Sequence, residues 1–499
     1  MTAKKILYVF ISITLLVAPV YSQSIKPRTI VTTDGEVDDQ DSFIRMLLYS
    51  NEFNLIGLVY SSSQWHYTGD GKGTRFTSEM PMTKKLYGER TELRWPGTDW
   101  MHEFIDQYAQ VYNNLTKHAA GYPSPEYLKS LVRVGNIEFE GEMEKNTEGS
   151  DFIKQILLDE TTEPIYIQLW GGTNTVARTL KSIEDEYKNT AQWEQIAKKV
   201  SDKAILYAVL DQDATYQKYV APHWPNIKVL YNAAQFWNFA YPWPKVVTEA
   251  LQPYLRGAWF KENIKFNHGP LLSSYYLWGD GTKIRNDFDH TQGDTAQLKK
   301  NNMTQYDFIS EGDSPAFLHL VDVGLGNLAD ASFGGWGGRM VQSKEKPNRW
   351  EDGDHVMDYN PYTKKQDKAF PQTRWIDVLQ NDFAARADWC VLPYDQANHA
   401  PVVTLQHDNA VRMKPGTAVK LNSQAKDPDG DNLNYTWWQY WEVDTYPGEI
   451  KIKEPKKNHT SFLIPADAKA GETIHVILEV SDSGTPKLKR YQRLIVTVQ

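Results

Sequence analysis

Five short apolar runs recur between Thr29 and about Gly334: "RTIVTTD", "NLIGLVYSS", "PIYIQLWGG", "AILYAVL" and "IKVLYN". Their length and β-branched content read as strands. Stretches of helical spacing lie between them. "DQDSFIRMLLYS" sets Phe43, Ile44, Leu47 and Leu48 on one helical face, and "TNTVARTLKSI" follows the third run. Strands alternating with helices predict an open, mostly parallel sheet with helices on both faces. In such sheets a ligand binds beyond the C-terminal ends of the strands.

Directly after the first run, at that end, stands "TTDGEVDDQDSF". Asp34, Glu36, Asp38, Asp39 and Asp41 crowd five carboxylates into eight positions. Asp38 and Asp39 fall where a helix begins, and acidic residues there cap free N–H groups and complement the dipole. Capping does not account for Asp34, at the strand's end and facing the same space. Carboxylates this close repel, and each raises its neighbour's pKa. A bound divalent cation removes the conflict. Among the hard cations that oxygen ligands suit, Ca²⁺ tolerates crowded, irregular cages better than Mg²⁺.

The remainder of the chain narrows the function classes. It has 499 residues, enough for two or three domains, with 41% apolar and 23% charged residues, so a packed core is expected. The net charge of -9 with no basic run argues against nucleic-acid and anionic-membrane partners. Aromatics reach 13%, including 17 Trp, which reads as large cores or, for some rings, as platforms for sugar faces. At the N-terminus Lys4 and Lys5 precede the apolar run "ILYVFISITLLVAPV", and Val20-Tyr21-Ser22 offers a cleavage point. Residues 1–22 therefore read as a signal peptide; the run is short for a membrane span. With Cys390 as the only cysteine there is no intramolecular disulfide. Export without disulfides suits a bacterial periplasmic or secreted protein with no stable membrane insertion after processing.

Near Asn398-His399-Ala400-Pro401 the pattern changes. "AVKLNSQA", "LNYTWWQYWEV", "ETIHVILEVSD" and "YQRLIVTV" alternate, separated by "DPDGD" and "DSGTP". Residues 25–398 are thus expected to form the α/β domain. Residues 401–499 are expected to form an all-β sandwich of the immunoglobulin-like or cadherin-like kind. "DPDGD" (Asp427, Asp429, Asp431) reads as an inter-strand turn, with a second Ca²⁺ site as the alternative. "YTWWQYW" reads as core packing or as a binding face.

The acidic stretch also carries a resemblance. "IVTTDGEVDD" resembles the N-terminal signature of the nucleoside hydrolase superfamily, and "LWGGTNTVARTL" is similar to its second element. "EGDSPAF" resembles its last metal-binding element, and "EGSDFIKQIL" lies upstream of the second at a fitting distance. The resemblance spans roughly residues 28 to 335. "GYPSPEYLKSLVRVGN", "EGSDFI" and "NDFAARADW" look like a bacterial subfamily of cellulose-binding proteins. That subfamily joins a nucleoside-hydrolase-like domain to a C-terminal β-sandwich. The resemblance implies Ca²⁺ held by Asp34, Asp38, Asp39, the Thr173 carbonyl and Asp313, with Asp34 as general base for a water. It implies a carbohydrate partner and an inverting glycoside hydrolase acting on a furanoside or related glycan. A non-catalytic cellulose-binding protein and a nucleoside hydrolase are the alternatives.

Substrate contacts are expected from Asn174, beside Thr173, and from Trp65 and His66 after the second strand. Asp211 and Asp213 of "LDQDATYQKY" and Trp336 of "FGGWGGRM" complete the expected set. Glu36 and Glu311 are candidate proton donors. The chain departs from the superfamily at Thr32, at Gly35-Glu36 in place of Pro-Gly, and at Gly312, where a His often stands. The metal cage carries over; release of a purine or pyrimidine base does not.

Overall fold

The computed structural model describes residues 26–287, 298–299 and 302–499. The expected signal peptide lies outside the described residues.

Six parallel strands build the centre of one sheet: β1 (Arg28–Thr33), β2 (Asn54–Tyr60), β3 (Val132–Val134), β4 (Ile165–Leu169), β5 (Ala204–Val209) and β6 (Lys228–Asn232). Two short strands, β7 (Val341–Gln342) and β8 (Arg349–Glu351), extend one edge. The order is β3-β2-β1-β4-β5-β6-β8-β7, parallel except for the last pair. All five runs recognised in the sequence are strands. The three further strands have two or three residues each, too short to leave a period.

The helices that cover the sheet are α1 (Val37–Tyr49), α2 (Trp100–His118), α3 (Glu148–Leu158), α4 (Asn174–Tyr187), α5 (Trp193–Lys203), α6 (Ser314–Leu318) and α7 (Ile376–Trp389). Successive strand residues feed opposite cores. Ile30, Val59, Ile167 and Leu206 pack with Ile153, Leu180 and Val200 of α3, α4 and α5. Val31, Leu58 and Tyr207 belong to a larger core with Leu47 of α1, Phe104 of α2 and Leu379 of α7. Burial on both faces is why these strands carry continuous apolar runs.

Beyond α7 come β9 (Val402–Leu405), β10 (Ala410–Met413), β11 (Ala418–Lys426), β12 (Asn434–Gln439), β13 (His459–Leu463), β14 (Thr473–Ser481) and β15 (Lys489–Val498). They form a three-stranded sheet, β9-β11-β13, and a four-stranded sheet, β10-β15-β14-β12. Val419, Trp437, Phe462, Val476 and Leu494 fill the core they share. The "YTWWQYW" stretch divides its rings by strand alternation. Trp437 enters this core, while Trp438 and Tyr440 turn to the larger core of the first unit, and Trp441 is exposed.

The two units are bonded closely. Arg490 donates to Asp382 of α7 at 2.9 Å, and Tyr440 donates to Asp358 at 2.8 Å. The Tyr491 N–H reaches the Val323 carbonyl at 2.9 Å.

A carboxylate site at the C-terminal edge of the sheet

The loops after β1, β2 and β4 continue the hydrogen-bond ladder past the strand ends. Ser61 N–H donates to Thr33 O, Trp170 N–H to Thr32 O, and Gly172 N–H to Ser62 O, at 2.8, 3.0 and 3.0 Å. This pins three loops side by side and fixes where their side chains meet. Glycine is required where the loops touch. Gly35 has φ +79°, and a Cβ there would stand 2.6 Å from Pro96 Cγ. On Gly171 a Cβ would meet Asp34 Cβ at 2.8 Å, and on Gly172 it would meet Asp213 Oδ2 at 2.4 Å.

Into this corner project Asp34, Asp38, Asp39 and Asp313. One carboxylate oxygen from each of Asp38, Asp39 and Asp313 lies within 4.8 Å of the other two. Asp34, Asp39 and Asp313 are buried. Glu36 at the start of α1, Thr173 at the start of α4 and Asp313 at the start of α6 make no side-chain cap bond. Asp34 Oδ2, Thr173 Oγ1 and Asp313 Oδ1 are buried without a hydrogen-bond partner. Asp39 accepts from the Thr33 hydroxyl. The Thr173 carbonyl accepts one bond, from Ala177 N–H at 2.9 Å, which leaves a lone pair free.

Burial, and then the charges of the neighbouring carboxylates, push Asp38, Asp39 and Asp313 well above the usual carboxylate range. Asp34 differs. Burial opposes its ionisation, but the neighbouring His66 and the Glu36 N–H, which donates to Oδ1 at 3.3 Å, hold it below that range. Buried, unpartnered hard oxygens that raise one another's pKa are the donor set a Ca²⁺ or Mg²⁺ ion fits.

The second layer contains residues that pattern reading passes over. Arg45, in the middle of fully buried "FIRMLL", donates to Glu311 at 3.0 Å and also to Gln380 of α7. Glu311 in addition accepts from Tyr275 and from Ser314 Oγ, the latter at 2.6 Å. Glu311 is thus a buried anchor two residues before Asp313, and the structure corrects the expectation that it donates a proton. An arginine flanked on both sides by apolar residues was the available signal, since a buried guanidinium needs a buried anion.

Glu36 is the more open carboxylate. Tyr241 donates to its Oε1 at 2.9 Å, and its Oε2 lies 3.9 Å from His66 Nδ1. His66 Nδ1 also lies 3.6 Å from Asp34 Oδ2. Trp65 is half-buried, its ring edge-on to Tyr87 at 6.3 Å.

Asn174, Asp211 and Asp213 face the protein. Asn174 Nδ2 donates to Ser62 Oγ at 2.8 Å and to the Asn136 carbonyl at 2.9 Å. Asp213 accepts from Asn174 N–H at 2.9 Å and from the Thr215 hydroxyl at 2.7 Å. Asp211 accepts from Gln217 N–H at 2.9 Å, and burial with Asp213 nearby raises its pKa to about 6. These three brace the loops that carry the site. Trp336 is a correction: it is fully buried, and the backbone of its neighbour Gly337 packs so closely that a Cβ there would come within 2.5 Å of the Pro315 carbonyl. It packs in the core and is no sugar platform. At position 312 a Cβ would lie 2.7 Å from Asp38 Oδ2, so any side chain there must displace the carboxylate.

The second acidic cluster, Asp427, Asp429 and Asp431, serves as a brace. Asp427 Oδ1 accepts from the N–H groups of Asp429 and Asp431 at 2.9 and 3.0 Å, and Asp429 accepts from His399 N–H at 2.7 Å.

Comparison with known proteins agrees with this fold. Residues 28–340 match the family model "Cellulose-binding Sde182, nucleoside hydrolase-like domain", and residues 418–498 match "Cellulose-binding protein Sde0182, C-terminal domain". No curated protein matches the chain. A nucleoside hydrolase-related hypothetical protein from Saccharophagus degradans, described as associated with carbohydrate metabolism, is 25% identical. It aligns over 95% of this chain and 100% of its own, with a TM-score of 0.69. A plant nucleoside hydrolase is 11% identical, over 74% of this chain and all of its own, with a TM-score of 0.32. The chain belongs to the Sde182 family of cellulose-binding proteins with a nucleoside-hydrolase-like domain.

Proposed function

We propose that the chain is an exported, Ca²⁺-dependent glycoside hydrolase that inverts the configuration of a furanoside or another polysaccharide-derived glycan. One observation carries this reading. One carboxylate oxygen from each of Asp38, Asp39 and Asp313 falls within 4.8 Å of the other two, beside pinned loops where Asp34 Oδ2 and Asp313 Oδ1 are buried with no protein donor. Asp34, Asp38, Asp39, Asp313 and the Thr173 carbonyl are the residues that would hold the ion. Bound there, Ca²⁺ supplies a grip on sugar hydroxyls and a lowered pKa for water.

The chain's own groups do the rest. Asp34, kept ionised by His66, is the general base that takes the proton from the attacking water at Oδ2. Glu36, partly exposed beside His66 and held by the Tyr241 hydroxyl and by Arg94, is the group assigned to protonate the leaving oxygen. Attack by water without a protein nucleophile leads to inversion. The apolar N-terminal run supports export, and the three-plus-four strand arrangement supports an immunoglobulin-like C-terminal unit.

The test is digestion of arabinans, other furanosides, cellulose oligomers and nucleosides with Ca²⁺ present. Wild type should release product from one glycan. Asp34→Asn should lower the rate by about 10²–10⁴, and Asp313→Asn should lose Ca²⁺ binding by calorimetry. Free base from nucleosides alone would replace this reading with nucleoside hydrolysis. The second reading, carbohydrate binding without catalysis, is favoured by the family's cellulose-binding members and predicts retention on a glycan with no product.

A further inference from the structure

A groove of about 370 Å³ runs between the segment after β8 and the C-terminal unit, away from the carboxylate site. Its lining differs from that of the other cavities. Seven aromatic side chains among the described residues are exposed, and three of them, Tyr359, Tyr362 and Trp441, line this groove at 39%, 55% and 43% exposure. Exposed rings gathered in one concave place mark a binding surface, because water contact with that much apolar area is costly.

The rings are held on a firm floor. Trp375 and Trp438 also line the groove, with centroids 6.5 Å apart, and the Arg374 guanidinium sits 5.0 Å from the Trp438 ring centre. Asp358 fixes Arg374 at 2.9 Å. The Tyr359 backbone is tied to Glu442 at 3.0 Å, which couples the two walls across the unit boundary. At one end Lys489 lies 3.2 Å from Glu479 and 3.5 Å from Asp377, all three partly exposed. A groove lined by flat amphipathic rings with charged, hydroxyl-bonding groups beside them is complementary to a chain of pyranose units. Each sugar offers an apolar C–H face to a ring and hydroxyls to the rim.

We propose that this groove binds an unbranched β-linked glucan chain and holds the polymer while the carboxylate site acts elsewhere on the molecule. The proposal rests on the reading that the ligand is a carbohydrate. It adds a second subsite, whose walls come partly from residues 341–417, which neither family model spans.

The experiment uses the full chain. Wild type, Trp441→Ala, Tyr362→Ala and Phe266→Ala, an exposed ring outside the groove, are compared for retention on microcrystalline cellulose and for cellohexaose binding by calorimetry. Melting temperature checks that each variant is folded. Trp441→Ala and Tyr362→Ala should each weaken binding at least tenfold, while Phe266→Ala stays within twofold of wild type. Equal binding by wild type and both ring variants would overturn the groove, as would an equal loss of binding in Phe266→Ala. So would a wild type that binds neither ligand. Glycan hydrolysis abolished by Asp34→Asn, without ring-dependent binding, sinks the groove and leaves the hydrolase reading standing. Ring-dependent binding without hydrolysis does the reverse.

Discussion

Arg45 shows how one side chain sets the position of another far along the chain. It leaves α1 two turns after Asp38 and Asp39 and ends on Glu311, so the first two carboxylates and Asp313 are referred to one guanidinium. Both partners are essentially without solvent exposure. Replacing Arg45 with Met leaves Glu311 buried and unpaired, a loss expected at about 3–5 kcal/mol. Urea denaturation reads that loss. A Ca²⁺ titration of the folded fraction should show weaker binding, because Asp313 is no longer held in register. Glu311→Gln should cost less, since a neutral amide still accepts from Arg45. Equal losses in the two variants would mean that shape, not charge, holds this pair.

At the scale of elements, α6 is a five-residue helix between Asp313 and His319. His319 is buried against Tyr166 and Tyr207, and burial, aided by Lys228, lowers its pKa to about 3. The unfolded chain takes up a proton near the ordinary value of 6.5, and the folded chain does not until about pH 3. The stability this neutral ring contributes is complete above pH 6.5 and is lost as pH falls toward 3. Each unit is worth about 1.4 kcal/mol, so the loss reaches roughly 2 kcal/mol at pH 5. His319→Leu should therefore flatten the acid limb by about that amount when denaturation at pH 7 and pH 5 is compared. An unchanged slope would remove His319 from the account.

The elements also mark how far sequence reasoning reaches. The five long strands, α1 and α4 were legible because burial on both faces, or on one helical stripe, leaves a period. The clustering of Asp38, Asp39 and Asp313 was legible through a resemblance, not through spacing, since 274 positions separate Asp39 from Asp313 (313 minus 39). The strands β3, β7, β8, β9 and β10 were not legible, being two to four residues long, nor was β13, whose pattern is broken by polar residues. Trp336 was misplaced because a glycine-rich turn looks exposed in sequence. Here the turn is packed closely into the molecule, and the ring is fully buried.

Over the whole molecule the two units share polar contacts as well as apolar ones. Arg493 donates to the carbonyls of Leu325 and Phe333, the latter at 2.7 Å, and Arg490 meets Asp382, which also receives Arg386 at 3.0 Å. Arg386 in turn donates to the Leu48 carbonyl at the end of α1. Arg490→Met should lower the melting temperature of the whole chain in one transition, by the equivalent of about 2–4 kcal/mol, because Asp382 keeps only one of its two cations. Two separate transitions in calorimetry would show that the units melt independently.

The same linkage has a consequence for biosynthesis. The helix that carries Asp38 and Asp39 is translated long before Arg490, the cation that bonds Asp382 in the network beneath it. That network cannot close until translation has passed Arg490. A nascent chain stopped between Asp313 and β15 carries every carboxylate of the site and still lacks the last ion pair beneath α1.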